Sequence, residues 1–234
     1  MNNEFNLNHL YFLMQGVGWT VILSLMAFAG GGLLGFGVAL ARISRSRTLR
    51  WLALAYVQLV QGTPLLILMF LSYFGLSIMG LSLPAIVAAG LSMTIYVSAY
   101  IGEIWRGCIE AVPKTQWEAA ECLALTRTQR LFMVILPQAL RIATPPTVGF
   151  MVQIVKNTSL ASVVGFVELA RAGQIINNSL FEPFVVYMLV AGLYFLLCFP
   201  LSWWARKLEN RLLAGRKPEP ELKKGIGNVQ YCES

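Results

Sequence analysis

No charged side chain occurs from residue 51 to residue 102. A soluble domain carries about a quarter of its residues charged, so a stretch of this length belongs in lipid. One bilayer crossing needs about 20 mostly apolar residues. The stretch is too long for one span and suits two, with Gly75, Gly80 and Pro84 supplying turn chemistry between them. The spacing predicts spans over residues 52–73 and 85–104. Three more apolar segments follow the same rule: 13–41, 132–155 and 184–204. The first is longer than necessary, so its first turns are expected along the membrane surface. The fourth contains Pro137, Pro145 and Pro146, which are expected to interrupt it. With 57% hydrophobic and only 12% charged residues, the chain reads as an all-α integral membrane protein of five transmembrane helices.

Loop charge sets the orientation. Arg42, Arg45, Arg47 and Arg50 follow span one. Arg106, Lys114, Arg127 and Arg130 follow span three, and Arg141 opens span four. The C-terminal segment carries seven more, from Arg206 to Lys224. Of the 18 Lys and Arg, only Lys156 and Arg171 fall on the other side. This asymmetry predicts an external N-terminus and a cytoplasmic C-terminus, which requires an odd number of spans. Residues 1–12 are then a periplasmic or interfacial segment, 13–213 the membrane domain, and 214–234 a polar, disordered cytoplasmic tail. Residues 1–8 have no basic n-region, so no cleaved signal peptide is expected.

Several chemistries are excluded. All acidic residues are Glu, and His9 stands alone near the N-terminus. Metal and triad arrangements therefore lack their parts. Cys108, Cys122, Cys198 and Cys232 show no C-x-x-C spacing. Ser92, Ser98, Ser159 and Ser162 have no His to activate them. The net charge of +7 is explained by basic loops rather than by nucleic acid.

Ala27, Gly31, Gly35 and Ala39 recur every four residues along one ridge of span one. Small ridges allow close helix approach where lipid supplies no hydrophobic drive. Two uses remain open: packing within the chain, or a seam with a second chain.

Residues 113–125 read as a short helix between two spans. Pro113 suits its first position, and Glu118, Ala119, Ala120, Glu121, Ala124 and Leu125 are mostly good helix formers. Small side chains at Ala119 and Ala120 would let it lie deep in a partner groove. Trp117 offers an anchor. Glu118-Ala119-Ala120, Ala124 and Val134-Ile135-Leu136-Pro137 resemble the coupling motif of ATP-binding-cassette (ABC) importer permeases, E-A-A, three residues, Gly, nine residues, I-x-L-P. The likeness extends over nearly the whole chain and is nearest to polar amino acid importers, the histidine, glutamate, glutamine, arginine and opine group. Gln61-Gly62-Thr63-Pro64-Leu65-Leu66 looks like R-G-T-P-L-L. Residues 98–107 look like S-A-Y-x-x-E-x-x-R-G, and 112–120 like V-P-x-G-Q-x-E-A-A. Residues 135–141 look like I-L-P-Q-A-L-R, and Lys156-Asn157-Thr158-Ser159-Leu160 like K-D/N-T-S-L. Four positions depart: Gln61 for Arg, Thr115 for Gly, Ala124 for the motif Gly and Val134 for Ile. Ala124 is tolerable if that residue is helical and strained if it must take positive φ.

The resemblance implies a permease dimer, either two copies or a sister pair. Two copies of an ABC ATPase would sit beneath it, and a periplasmic binding protein would deliver the solute. Gln116, Trp117, Glu118, Ala119, Ala120, Ala124, Leu125, Leu136 and Pro137 would couple to the ATPase. No G-x-x-x-x-G-K-[ST] loop is present, so ATP and Mg belong to the partner and this chain is no enzyme. Solute-path candidates are Gly62, Thr63, Pro64, Tyr100, Lys156, Asn157, Thr158 and Ser159. Pro145 and Pro146 would weaken the helix leading to the last four. Lys156 can snorkel, pair or face the path. Glu168, Arg171 and Glu182 are expected to be solvated or to meet the binding protein. Glu103 is expected to pair with Arg106 or another cation at that end. Asn157 rather than Asp favours a polar neutral or acidic amino acid (glutamine, glutamate, aspartate) over a basic amino acid or opine. A channel or scaffold without an ATPase is the alternative from another class.

Overall fold

The computed structural model describes residues 5–215. The expected tail beyond Gly215 and residues 1–4 lie outside the described residues. Among those described, the chain is helical throughout: α1 (Leu7–Arg42), α2 (Arg47–Gln61), α3 (Leu65–Ile78), α4 (Ala85–Glu110), α5 (Lys114–Cys122), α6 (Arg127–Val164), α7 (Leu169–Leu180) and α8 (Pro183–Gly215). Lipid leaves no alternative to internal satisfaction of backbone groups, which is why helices carry every long apolar segment. α1, α4, α6 and α8 are each long and apolar enough to cross a membrane, and the bent pair α2–α3 makes a fifth crossing if counted as one.

α1 begins at Leu7 because Asn6 and His9 form a capping box. The Asn6 side chain accepts from the Asn8 and His9 amides, and His9 Nδ1 accepts from the Asn6 amide. The lone histidine is thus a cap. At 36 residues, α1 is about 54 Å long, well beyond a hydrocarbon core of about 30 Å.

α1 and α4 run parallel and meet along the small-residue ridge. Ala27, Gly31, Gly35 and Ala39 are all buried. A Cβ on Gly31 would lie 2.5 Å from the Val97 side chain, and one on Gly35 would lie 3.0 Å from the Ser98 carbonyl. α4 answers with Gly102, whose added Cβ would fall 2.8 Å from Val38. The ridge is therefore occupied within the chain and is not free as a seam. Leu23, Met69, Met93, Val97, Ile101 and Ile154 fill the core around it.

The second span differs from the expected straight helix. α2 and α3 meet at 98°. Gly62 ends α2 and Pro64, at φ −58° and ψ 137°, precedes α3 without an amide to donate. Tyr56 in α2 bonds to Ser98 Oγ at 2.6 Å, and Ser92 Oγ donates to the Leu68 carbonyl in α3 at 3.3 Å. Together the two halves walk along α4, antiparallel to it. Neither half, at 15 and 14 residues, reaches across a bilayer alone.

α6 also departs from expectation. Pro145 and Pro146 do not interrupt it; the α-helix is continuous from Leu136 to Asn157. Arg141 and Ile142, whose carbonyls lose their partners, line an open cavity of about 1090 Å³, and backbone groups freed beside such a cavity are tolerated. α6 is π-wound from Arg130 to Ile135, and after Asn157 it tightens to 3₁₀ as far as Val164 before Gly165 takes φ +85°.

Glu168 overturns its expected solvated role. It is fully buried and caps α7. Its carboxylate accepts from the Ala170 and Arg171 amides, both at 2.8 Å, and from the Tyr194 hydroxyl at 2.7 Å. The Leu169 amide donates to Thr20 Oγ1 on α1. The first donors of α7 are thereby satisfied, and the cap ties α1, α7 and α8 together.

Two stability tests follow. Gly31→Ala is expected to cost about 1–3 kcal/mol through overpacking, whereas Gly37→Ala, whose Cβ meets nothing within 4 Å, is neutral or slightly stabilising. Equal unfolding midpoints in detergent would contradict the close approach. Glu168→Ala is expected to cost about 2–4 kcal/mol by orphaning three donors. An unchanged midpoint would contradict the cap.

Candidate functional site

The basic ends of α1, α4, α6 and α8 gather with α5 at one end of the bundle. α5 is amphipathic in a specific sense: one face belongs to the chain's own core. Ala120 is buried and Trp117 half-buried. Trp117 packs with Ile109, Val112, Ile135 and Ala139, so it faces inward rather than projecting as a free anchor. Ala120 likewise faces the bundle and not a partner groove. Gln116, Glu118, Ala119 and Leu123 are left exposed, Leu123 at 74%.

The turn after α5 is a Schellman motif. The Ala124 amide donates to the Glu121 carbonyl at 2.9 Å, and the Leu125 amide to the Ala120 carbonyl at 3.3 Å. That geometry requires a left-handed residue, and Ala124 supplies it at φ +55°. A non-glycine residue there costs about 1 kcal/mol. Thr126 then opens α6 through a capping box with Gln129.

Side chains brace this turn on both sides. Arg130 pairs with Glu121 at 2.8 Å. Gln138 donates to Gln116 Oε1 at 3.2 Å and to the Val134 carbonyl, so the residue after Pro137 reaches back to α5. Leu136 packs at the edge of the same cluster. Arg127 donates to the Ile43 carbonyl at 2.8 Å, which ties the turn to the end of α1. In sequence Arg127 and Arg130 mark only loop charge and Gln138 only a motif position; that they brace this turn carries no signal without the fold. Glu103 pairs with Arg106 at 2.5 Å and with Arg42 at 3.4 Å, joining α1 to α4 at this end, and Arg106 also pairs with Glu110.

The solute-path candidates lie elsewhere and only partly converge. Tyr100 stacks with Phe150 at 5.4 Å and meets Tyr96 at 4.5 Å. Asn157 sits beside Tyr96. Leu65 and Met69, just after the Gly62-Thr63-Pro64 break, pack into the same cluster. The sequence signal for Tyr96 was its four-residue spacing from Tyr100 on α4. Lys156 is exposed and Thr158 fully buried. The hydroxyls of Thr63, Thr158 and Ser159 each donate to a backbone carbonyl of their own helix. Thr63 and Ser159 can offer a solute acceptor lone pairs, while Thr158 is closed off by burial.

A bundle of long apolar helices with one span broken and a short polar helix mounted at its basic end defines a membrane permease, a transport component rather than an enzyme. The chain belongs to the binding-protein-dependent transport system inner membrane component family, which matches residues 31–214. It is a multi-pass inner-membrane protein. A Bacillus subtilis (strain 168) relative described as "Probable glutamine ABC transporter permease protein GlnM" is 38% identical over 91% of this chain and 98% of its own. The "L-cystine transport system permease protein TcyB" of the same organism is 37% identical over 86% of each. Among solved structures, an amino acid ABC transporter crystallised with histidines is 31% identical, covers 87% of this chain and 95% of its own, and superposes with a TM-score of 0.82. The inward-facing MetNI methionine transporter, at 20% identity and a TM-score of 0.72, shares the fold.

Ala124→Gly should stabilise the turn by about 1 kcal/mol. Slower amide exchange at Ala124 and Leu125 in the glycine variant is the expected reading. Faster exchange would contradict the strained geometry.

Proposed function

We propose that this chain forms the translocation path of an ATP-driven, binding-protein-dependent amino acid importer, with its basic end in the cytoplasm. The observation that carries the reading is the mounting of α5. One face is fastened to the bundle by Trp117 and Ala120, and the turn that follows is tied to α1 by the Arg127–Ile43 bond, while Glu118, Ala119 and Leu123 stand uncovered. A partner ATPase, holding ATP and Mg, pushes on that uncovered face. The push passes through the Schellman turn into α6 and through Ile43 into α1. A second permease chain and an external substrate-binding protein complete the assembly. Two discrete arrangements of such a scaffold give alternating access.

The substrate we infer is a polar neutral or acidic amino acid. Asn157 in place of a carboxylate and the names of the glutamine and cystine relatives support this. A basic amino acid is the second reading, favoured by the histidines in the similar solved structure. Uptake of labelled glutamine, glutamate and arginine with the cognate binding protein decides between them. Transport of arginine alone would overturn the first reading.

Glu118→Lys combined with Leu123→Arg is expected to lower ATP-dependent uptake by about tenfold, the loss of one modest interface contact, with normal amounts of chain in the membrane. Unchanged flux would favour a channel or scaffold that needs no ATPase.

A further inference from the structure

A cavity of about 870 Å³ opens at the basic end, between the end of α1, the end of α4, α5 and the start of α6. Its cations are Arg42, Arg45, Arg50, Arg106, Lys114 and Arg127, against the single carboxylate of Glu110. Three of the six are engaged elsewhere. Arg42 and Arg106 pair with Glu103, Arg106 also with Glu110, and Arg127 donates to the Ile43 carbonyl. Among the described residues, Arg45, Arg50 and Lys114 have no carboxylate within ion-pair distance. A basin of uncompensated charge this close to apolar helix surface calls for an anion.

The surroundings specify its kind. A second hollow of about 410 Å³ shares Arg42 and Arg50 with the first and adds Arg47, Trp51 and Leu54. Trp51 is 59% exposed and Leu52 is 65% exposed. Both stand at the first turn of the uncharged stretch, where chain leaves water for hydrocarbon, and indole rings settle at that depth. Phe132 lines the large basin and is also exposed. Cations above, indole at the boundary and aliphatic surface below match the profile of a lipid with an anionic headgroup. A soluble anion would use only the cations.

We infer that this basin binds the phosphate headgroup of an anionic phospholipid in the leaflet at the basic end, with the acyl chains lying against Trp51 and Leu54. Juxtamembrane basic clusters hold anionic lipid in this way. The site takes Lys114 and Trp117 from α5 but none of Glu118, Ala119 and Leu123, so its failure and that of the coupling reading are distinguishable.

The test uses the full chain purified from vesicles containing equal amounts of phosphatidylglycerol and phosphatidylcholine, with retained lipid counted by native mass spectrometry. The wild type should retain phosphatidylglycerol in preference, and each cation removed should weaken retention by about fivefold. Arg45→Ala/Arg50→Ala, both exposed positions, should bring the two lipids near parity. Arg206→Ala/Lys207→Ala, charge removed from α8 at the same end, should keep the preference. Equal retention by the wild type overturns the proposal, as does a preference that survives in Arg45→Ala/Arg50→Ala. Saturable binding of inorganic phosphate to lipid-free protein in detergent, without any lipid preference, would reassign the basin to a soluble anion. Loss of the ATPase from the Arg45→Ala/Arg50→Ala variant with lipid preference intact would reassign it to a protein partner. Either result overturns the lipid assignment.

Discussion

The close approach of α1 and α4 is the contact from which the rest of the structure is hung. Lipid offers helices no hydrophobic reason to associate, so packing must come from shape. Gly31, Gly35 and Gly102 remove the side chains that would hold the two backbones apart. Once the pair is formed, its basic end is locked by Glu103 between Arg42 and Arg106. Toward the other end, Thr20 of α1 accepts from the first amide of α7 and fastens that helix to the pair. α6 then packs antiparallel on α4, with Trp105 Nε1 donating to Thr147 at 2.9 Å, and α8 packs on α6.

This parallel pair gives the short helix α5 something rigid to stand on. Arg127 reaches the carbonyl that ends α1, and Trp117 sits in the cluster that ends α4. The Schellman turn between α5 and α6 keeps two helices in a fixed relation at the cost of one left-handed alanine. The same end of the molecule thus holds a braced turn, an uncovered polar face and a basin of unpaired cations. These are three different surfaces: the turn is braced on the bundle, and the other two are the faces proposed above for an ATPase and for a lipid headgroup.

Much of this was legible in sequence because the bilayer imposes length and charge rules that do not depend on tertiary detail. The uncharged run placed α4 to within its first residue, and Gly80 and Pro84 marked the turn before it. The E-A-A spacing located α5. Other features depended on packing that sequence does not encode locally. Gly62 and Pro64 were visible, but only the way Tyr56 and Leu68 meet α4 turns that triplet into a 98° break. Pro145 and Pro146 looked disruptive, yet the helix runs on through them, and Arg141 and Ile142, whose carbonyls they free, line an open cavity. Glu168 looked like a loop carboxylate because nothing in its neighbourhood announces that Tyr194 and two amides converge on it. The small-residue ridge had two possible partners, and only the fold shows which one it took. Trp117 had the chemistry of an interface anchor and instead fills the chain's own core.

The central claim is that α5 presents its outer face, and not its inner one, to a partner on the cytoplasmic side. Single cysteines at Ala119, Ala120 and Leu123, placed in a background free of other cysteines, test it directly. In intact cells none should react with a membrane-impermeant maleimide. In inside-out vesicles Ala119→Cys and Leu123→Cys should label and should crosslink to the ATPase, while Ala120→Cys stays protected. Labelling of Ala119→Cys in intact cells, or no crosslink from either outer position, would contradict the account.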